Sequence, residues 1–244
     1  MSNDTLGDRM KKYEDVFRVK LIKRTPKIIR LDGKAFHTYL KDAEKPFDKN
    51  VTRAMEVAAW RVIREMGGVA RFAYIQSDEC SIAINDALTL NTEAWFDNNL
   101  QKMVSVAASV FTHTFNNFYK NKLESPAYFD ARAFVLPDLD ELLNYFVWRQ
   151  NDATRNSIRM YAHTMFSTNE LEGVSNKDAQ EMMFAKTGFN WNDAKTWTKR
   201  GIVATASYPD YEIPIFTADR TYLTKLYLPT NEESEKTNKD TDRN

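Results

Sequence analysis

The stretch KIIRLDGKAFH, residues 27–37, decides how the rest of this chain is read. An apolar run (Ile28, Ile29, Leu31) enters a sharp break at Asp32-Gly33, the pattern of a buried strand that delivers a carboxylate to the edge of a sheet. Gly33 lets the backbone turn tightly and approach a ligand, leaving the amides of Lys34, Ala35 and Phe36 to meet an anion such as a triphosphate. Asp-Gly after a strand is more often a plain turn, so the weight falls on a second carboxylate in a similar setting. Residues 72–75 (FAYI) read as a strand, 76–79 (QSDE) as a polar turn and 80–84 (CSIAI) as a returning strand with alternating faces. If the strand ending at Asp32 lies beside this hairpin, Asp32 and Asp78 converge, which is a usual way to hold a pair of Mg²⁺ ions through oxygen ligands.

Working outward, residues 5–17 carry Leu6, Met10, Tyr13 and Phe17 at helical spacing, which predicts a short amphipathic helix laid on the domain. Residues 47–66 place Val51, Ala54, Met55, Ala58, Val62, Ile63 and Met66 on one stripe, with Asp48 as cap and Gly67-Gly68 as stop. Residues 92–121 keep a helical period long enough to cross a whole sheet, and residues 128–136 (YFDARAFVL) read as a fourth strand. The order is β-α-β-β-α-β, the split ferredoxin-like unit of an α+β fold, and by itself it fixes no chemistry. Residues 138–167 are expected to be helical, followed by a helix over 176–186 that stops at Gly188 and strands over 202–207 and 211–217 with a turn at Pro209-Asp210. The expected organisation is a catalytic domain over 1–136, a smaller helical and β subdomain over 137–228, and a disordered tail over 229–244, which lacks any aromatic or aliphatic residue.

With 244 residues, 43% of them apolar, the chain can bury one sizeable core. Its 34 basic and 34 acidic residues cancel, so no global field draws it to nucleic acid or to an anionic membrane, and any RNA surface must be a local patch. A single cysteine, Cys80, excludes a disulfide within the chain and a cysteine-based zinc site, and fits a reducing compartment. The first 17 residues have neither an apolar signal core nor a transit composition, and no run approaches membrane-spanning length, so a cytoplasmic protein is expected.

Five motifs in this order, RLDGKAFH (30–37), YIQSDECSI (74–82), FDARAFVLP (129–137), WRQNDA (148–153) and KRG (199–201), resemble the tRNA(His) guanylyltransferase family over residues 5–217. LGDRMKKYE (6–14) and ATRNS (153–157) look like its bacterial and phage, Thg1-like branch. The eukaryotic branch has His-Ile-Asn-Asn where this chain has Thr154-Arg155-Asn156-Ser157, so only Asn156 matches. The resemblance implies a polymerase-type palm that adds nucleotides to tRNA in the 3'-to-5' direction, with two Mg²⁺ ions, ATP and GTP as substrates, and a homo-oligomer, a tetramer being common in the family. Carried over by position, Asp32, Gly33 and Asp78 would hold metal, and Glu79 would join Asp32 and Asp78 as catalytic. Gly33, Lys34, Ala35, Phe36, His37, Lys45, Ser77 and Lys199 would bind nucleotide. The stripe Arg149, Arg155 and Arg159 has two readings, a contact for the tRNA backbone or a solvated helix face.

Phosphoryl transfer needs little covalent help from a protein, so two acids with phosphate-facing amides and lysines make up most of the apparatus. His37 has two readings, a base or a packed side chain, while His113 and His163 lie in helices without paired ligands. Two other classes compete. A non-catalytic RNA-binding module on a ferredoxin-like sheet has no need of paired acids at strand ends, and the stacking aromatics of such modules are missing from the strands. A nucleotide cyclase on the same scaffold would share the acids without explaining WRQND or KRG.

Overall fold

The computed structural model describes residues 5–121 and 125–228; the tail expected over 229–244 lies outside them. Strand β1 (Lys27–Gly33) is an interior strand of the sheet that organises the molecule, next to one of its edges. Helix α3 (Lys49–Glu65) starts at Asp48, whose carboxylate accepts the amides of Asn50 and Val51, and buries the predicted stripe at Val51, Ala54, Met55, Ala58, Val62 and Ile63. Burying each aliphatic side chain of this kind stabilises the fold by about 1.5–3 kcal/mol relative to exposing it. The chain returns as β2 (Ala70–Gln76) and β3 (Glu79–Ile84), joined through a two-residue tip at Ser77-Asp78. After helix α4 (Leu100–Phe118) comes β4 (Phe129–Val135). The strands lie in the order β4-β1-β3-β2, each antiparallel to its neighbour, and β5 (Ile202–Ala204) and β6 (Pro209–Asp210) extend the same sheet beyond β2.

Alternation along β1 divides the core. Ile29 and Leu31 face α3 and α4 in one cluster, with Met55, Val62, Phe111 and Phe115. Ile28 faces the opposite layer, where helix α5 (Leu139–His163) contributes Leu142, Leu143 and Phe146 and helix α8 (Arg220–Tyr227) contributes Leu223. Successive side chains of a strand point to opposite faces, so Arg30 and Asp32 share the α5 face with Ile28. Glu79 pairs with Asp32 and Ser81 with Arg30 in register, so they share it too. A third cluster packs α5 against helix α6 (Asn176–Thr187), which stops at the left-handed Gly188 as expected.

Three expectations give way. Helix α1 (Leu6–Asp15) forms with a full capping box at Thr5 and Asp8, yet it buries no residue, and Leu6, Met10, Tyr13 and Phe17 are exposed. Helix α4 begins at Leu100 because Phe96, Asp97 and Asn98 take positive φ and Asn98 is drawn out of helical line, its amide donating to Asp86 at 2.9 Å. The strand expected over 211–217 does not form: the expected turn at Pro209-Asp210 is itself the short strand β6, and the strand before it, expected over 202–207, stops at Ala204. Pro214 has no N–H for a ladder, and Gln150 of α5 ties this segment instead, donating to the Pro214 carbonyl at 2.9 Å and accepting the Phe216 amide at 2.8 Å. Among the described residues no helix is long and apolar enough to cross a membrane.

Candidate active site

The end of the sheet where β1 stops and the β2–β3 hairpin turns brings the two sequence-predicted acids together. The amide of Gly33 donates to the Asp78 carbonyl at 3.1 Å, which locks the break after β1 to the hairpin tip. Ser77 takes φ 49° at that tip, a conformation uncommon for a residue with a Cβ. Asp32 and Asp78 line a cavity of about 430 Å³ with Arg30, Glu79, Asp152 and Arg159. Burial pushes the Asp78 carboxyl above the ordinary carboxylate range, and the negative Asp32 nearby adds to the shift. Two carboxylates held close enough to repel each other in a half-buried setting are a place where a cation is stabilised. Among the described residues no group of three or more His, Cys, Asp or Glu could hold a metal. A divalent ion here would take its side-chain oxygens from this pair and the rest from backbone, phosphate and water, as Mg²⁺ commonly does, so the residues fit it.

Glu79 is occupied otherwise than expected. It is 6% exposed and accepts a fork from Arg149, Nε to Oε1 and Nη2 to Oε2, both at 2.8 Å. Arg30 Nη2 lies 2.8 Å from Glu79 Oε2 and donates to Asp32 Oδ2 at 2.8 Å, so one guanidinium joins the two acids. Burial raises the Glu79 carboxyl above its ordinary value, and Arg149 and Arg30 pull it back. Arg149 also donates to Asp152 at 2.8 Å and is only 5% exposed. The expectation that Arg149 contacts tRNA gives way to an internal role: its Nε and Nη2 are bonded to Glu79 and Asp152, and the nearly buried guanidinium lines the cavity beside the acids. Its partner on the sequence stripe, Arg155, is 58% exposed and donates to Asp152 at 3.1 Å. Arg159 lines the cavity but is tied by its guanidinium to the carbonyls of Leu171 and Val174.

The loop after β1 is partly available to an anion. The Lys34 amide donates to the Tyr128 carbonyl at 2.8 Å and that of Gly33 is spent on Asp78, so two of the expected cradle amides are committed. Those of Ala35, Phe36 and His37 have no bonded partner among the described residues, and they open the four-residue helix α2 (Phe36–Tyr39) after Ala35, which sits at φ 53°. Glycine at 33 is required by contact, since a Cβ there would stand 2.3 Å from the Phe36 ring. His37 and Lys34 are exposed. Lys45 is exposed and donates to the Leu40 carbonyl at 2.9 Å, beside a smaller hollow of about 70 Å³ that Gln76, Ser77 and Met160 share with the main cavity.

Lys199, on α7 (Thr196–Arg200), does not reach either space. It is 8% exposed, its amine donates to the Asn192 carbonyl and lies over the Trp191 ring, and burial with the neighbouring Arg200 lowers its pKa. In KRG the glycine is the position with a contact reason: a Cβ on Gly201 would meet the Ile75 carbonyl at 2.5 Å. The sequence reading missed Arg30 and Asp152. Arg30 stands two residues before Asp32 on the same strand face, a spacing that could have shown it, whereas Asp152 needs the placement of α5.

A family model described as tRNAHis guanylyltransferase matches residues 7–137. The chain belongs to the tRNA(His) guanylyltransferase family. The enzymes of this family are nucleotidyltransferases, and the chain is an enzyme of that class. A bacterial tRNA(His) guanylyltransferase (Thg1)-like protein, solved in complex with ATP, is 43% identical with a TM-score of 0.87 over 91% of this chain and 99% of its own. One solved with GTP is 41% identical with a TM-score of 0.79 over 92% and 99%. The tRNA(His) guanylyltransferase of Schizosaccharomyces pombe is 30% identical over 210 residues, 80% of this chain and 77% of that one. The family match spans β1 to β4, so it contains both Asp32 and Asp78, while α5 with its Arg149 clamp lies beyond it.

Proposed function

We propose that this protein is a metal-dependent nucleotidyltransferase that extends the 5' end of tRNA in the 3'-to-5' direction, on a ferredoxin-like palm. The observation that carries this reading is the convergence of Asp32 and Asp78 on one cavity, inside the region the family model covers. The Asp32 and Asp78 carboxylates, with the Gly33 carbonyl, would hold Mg²⁺, which when bound neutralises triphosphate charge and assists the attacking oxygen. The free amides of Ala35, Phe36 and His37, with Lys45 nearby, suit the triphosphate of ATP or GTP. Arg30 keeps Asp32 oriented, and its Nε is buried with no hydrogen-bond partner among the described residues, a donor suited to a phosphate oxygen in the same cavity. The RNA end is first activated by a nucleoside triphosphate, and the 3'-hydroxyl of the incoming nucleotide then attacks it, so the protein's task is to position both and to disperse charge. Arg155 is the exposed cation of α5 suited to a tRNA phosphate. A cytoplasmic homo-oligomer fits this activity, and the exposed apolar residues of α1 support association between copies.

The test is incubation with Mg²⁺, ATP, labelled GTP and two tRNAs, one intact tRNA(His) and one missing its first nucleotide. Label joined to the 5' end, dependent on Mg²⁺ and ATP, is the expected result. RNA binding without any incorporation would replace this reading with that of a non-catalytic RNA-binding module.

A further inference from the structure

Trp148 is the large aromatic of α5 that the fold does not bury. It is 51% exposed, although the indole is the residue with most to gain from a core. The ring is nonetheless held in place. The Arg149 guanidinium carbon lies 4.3 Å from its centroid, and Arg149 is itself fixed by two hydrogen bonds to Glu79 and one to Asp152. Tyr145 meets the indole edge-on at 5.8 Å, and its hydroxyl is anchored by Ser81 of β3 at 2.9 Å. An exposed aromatic ring clamped by a guanidinium and by a second fixed ring has lost its freedom before any ligand arrives, so a planar partner would pay less of the ordering cost. The guanidinium under Trp148 also lines the cavity that holds Asp32 and Asp78, which puts the indole one side chain away from the acids.

A second observation says what class of ligand fits. Arg155 lies seven residues after Trp148 on α5, so the two share one stripe about 10 Å apart along the helix axis. Arg155 is an exposed cation, and Asp152 between them bonds to both Arg149 and Arg155. A fixed aromatic face beside a cation is the pairing that receives a base and its backbone phosphate in single-stranded nucleic acid.

We infer that Trp148 is a stacking platform for the base at the reacting 5' end of the RNA substrate, with Arg155 meeting a nearby phosphate. The inference rests on the proposed function for the identity of the RNA. Stacking is tolerant of base identity, so Trp148 holds the end in place whatever its sequence and leaves the choice of incoming nucleotide to other groups.

The experiment couples a protein change to an RNA change. Affinity is measured, without nucleotides, for a tRNA lacking its first nucleotide and for the same RNA made abasic at its 5'-terminal position. Trp148→Ala should weaken binding of the normal RNA by about 5- to 150-fold. Removing the base should cost the wild-type protein a similar factor, and doing both should cost no more than either alone. Trp148→Leu, which keeps apolar bulk over Arg149, should behave as Trp148→Ala does, and Trp148→Tyr should recover most of the affinity. Losses that multiply independently, or no loss in either variant, would overturn the inference. A change in oligomeric state with RNA affinity intact would overturn it in favour of a contact between copies of the chain. The coupled loss in a protein that adds no nucleotide would leave the stacking standing and remove the proposed activity, so the two fail separately.

Discussion

Replacing Arg149 by methionine tests whether this residue is the buttress of the site or a contact for RNA. The substitution keeps a long apolar stem and removes the fork to Glu79 and the bond to Asp152. Removing one partner of a buried ion pair costs about 3–5 kcal/mol, because the other charge stays behind without compensation. Arg30 still reaches Glu79 in the variant, which places the expected loss near the lower end, about 3 kcal/mol. For a chain of this size each kcal/mol moves Tm by about 2–4 °C, so a drop of about 6–12 °C is expected. The pH dependence has a definite sign. Burial already holds the Glu79 carboxyl above its ordinary 4.5, and losing Arg149 lets the folded-state value climb further. A carboxyl with a raised folded pKa favours folding below its unfolded pKa, and that contribution is lost as pH rises through the folded value. The stability deficit of the variant is therefore largest at neutral pH and shrinks on acidification toward pH 4.5. Adding Glu79→Gln in the same chain should restore much of the loss, since the carboxylate that lost its Arg149 partner is then neutral. Thermal and urea unfolding at neutral and acidic pH read this directly. A variant as stable as the parent, with weakened RNA binding and a shallower salt dependence, would refute the reasoning and make Arg149 a phosphate contact.

Three further outcomes follow from the same geometry. Gly33→Ala drives a Cβ to within 2.3 Å of a Phe36 ring already packed on Phe115 and Phe129, so a stability loss of about 1–3 kcal/mol is expected together with a raised KM for the nucleotide; unchanged unfolding would show that the loop yields. Because the Asp78 pKa is raised by burial and by Asp32, kcat/KM should begin to fall at a pH above the ordinary carboxylate range on acidification, and that limb should move to lower pH as Mg²⁺ is increased; a limb insensitive to Mg²⁺ contradicts the assignment. Since only Asn156 matches the eukaryotic His-Ile-Asn-Asn motif, pairing with the opposite strand should choose the nucleotide, and repair of a truncated tRNA should outpace addition opposite a non-complementary base; equal rates on the two substrates would reject this.

What the sequence made legible is the part governed by local rules. The strand ending at Asp32, the hairpin with Asp78 at its tip and the α3 stripe capped by Asp48 depend on alternation, turn chemistry and capping, and they appear where the pattern puts them. What it missed depends on contacts distant in sequence. Arg149 looks like a surface cation on an apparently polar stretch of α5, and only the docking of that helix on β3 turns it toward Glu79, 70 positions away. Lys199 likewise reads as a free basic residue until the short α7 folds its amine onto the Asn192 carbonyl. The run over 211–217 has strand-like composition, but Pro214 and the two bonds the run makes with Gln150, one accepted and one donated, divert it to α5. Helix α1 shows the reverse limit: its amphipathic period is real, and periodicity alone does not say that the apolar face finds a partner within one chain.

The central claim is that Asp32 and Asp78 act as one carboxylate pair in nucleotide addition. It is tested by measuring 5'-end extension of a truncated tRNA, with Mg²⁺, ATP and labelled GTP, for the wild-type protein and for Asp32→Ala and Asp78→Ala, alongside thermal unfolding of each. Both substitutions should abolish incorporation. Asp78→Ala should at the same time leave the protein at least as stable as the parent without Mg²⁺ at neutral pH, because it removes a buried carboxylate that Asp32 repels. Near wild-type turnover in either folded variant would contradict the account.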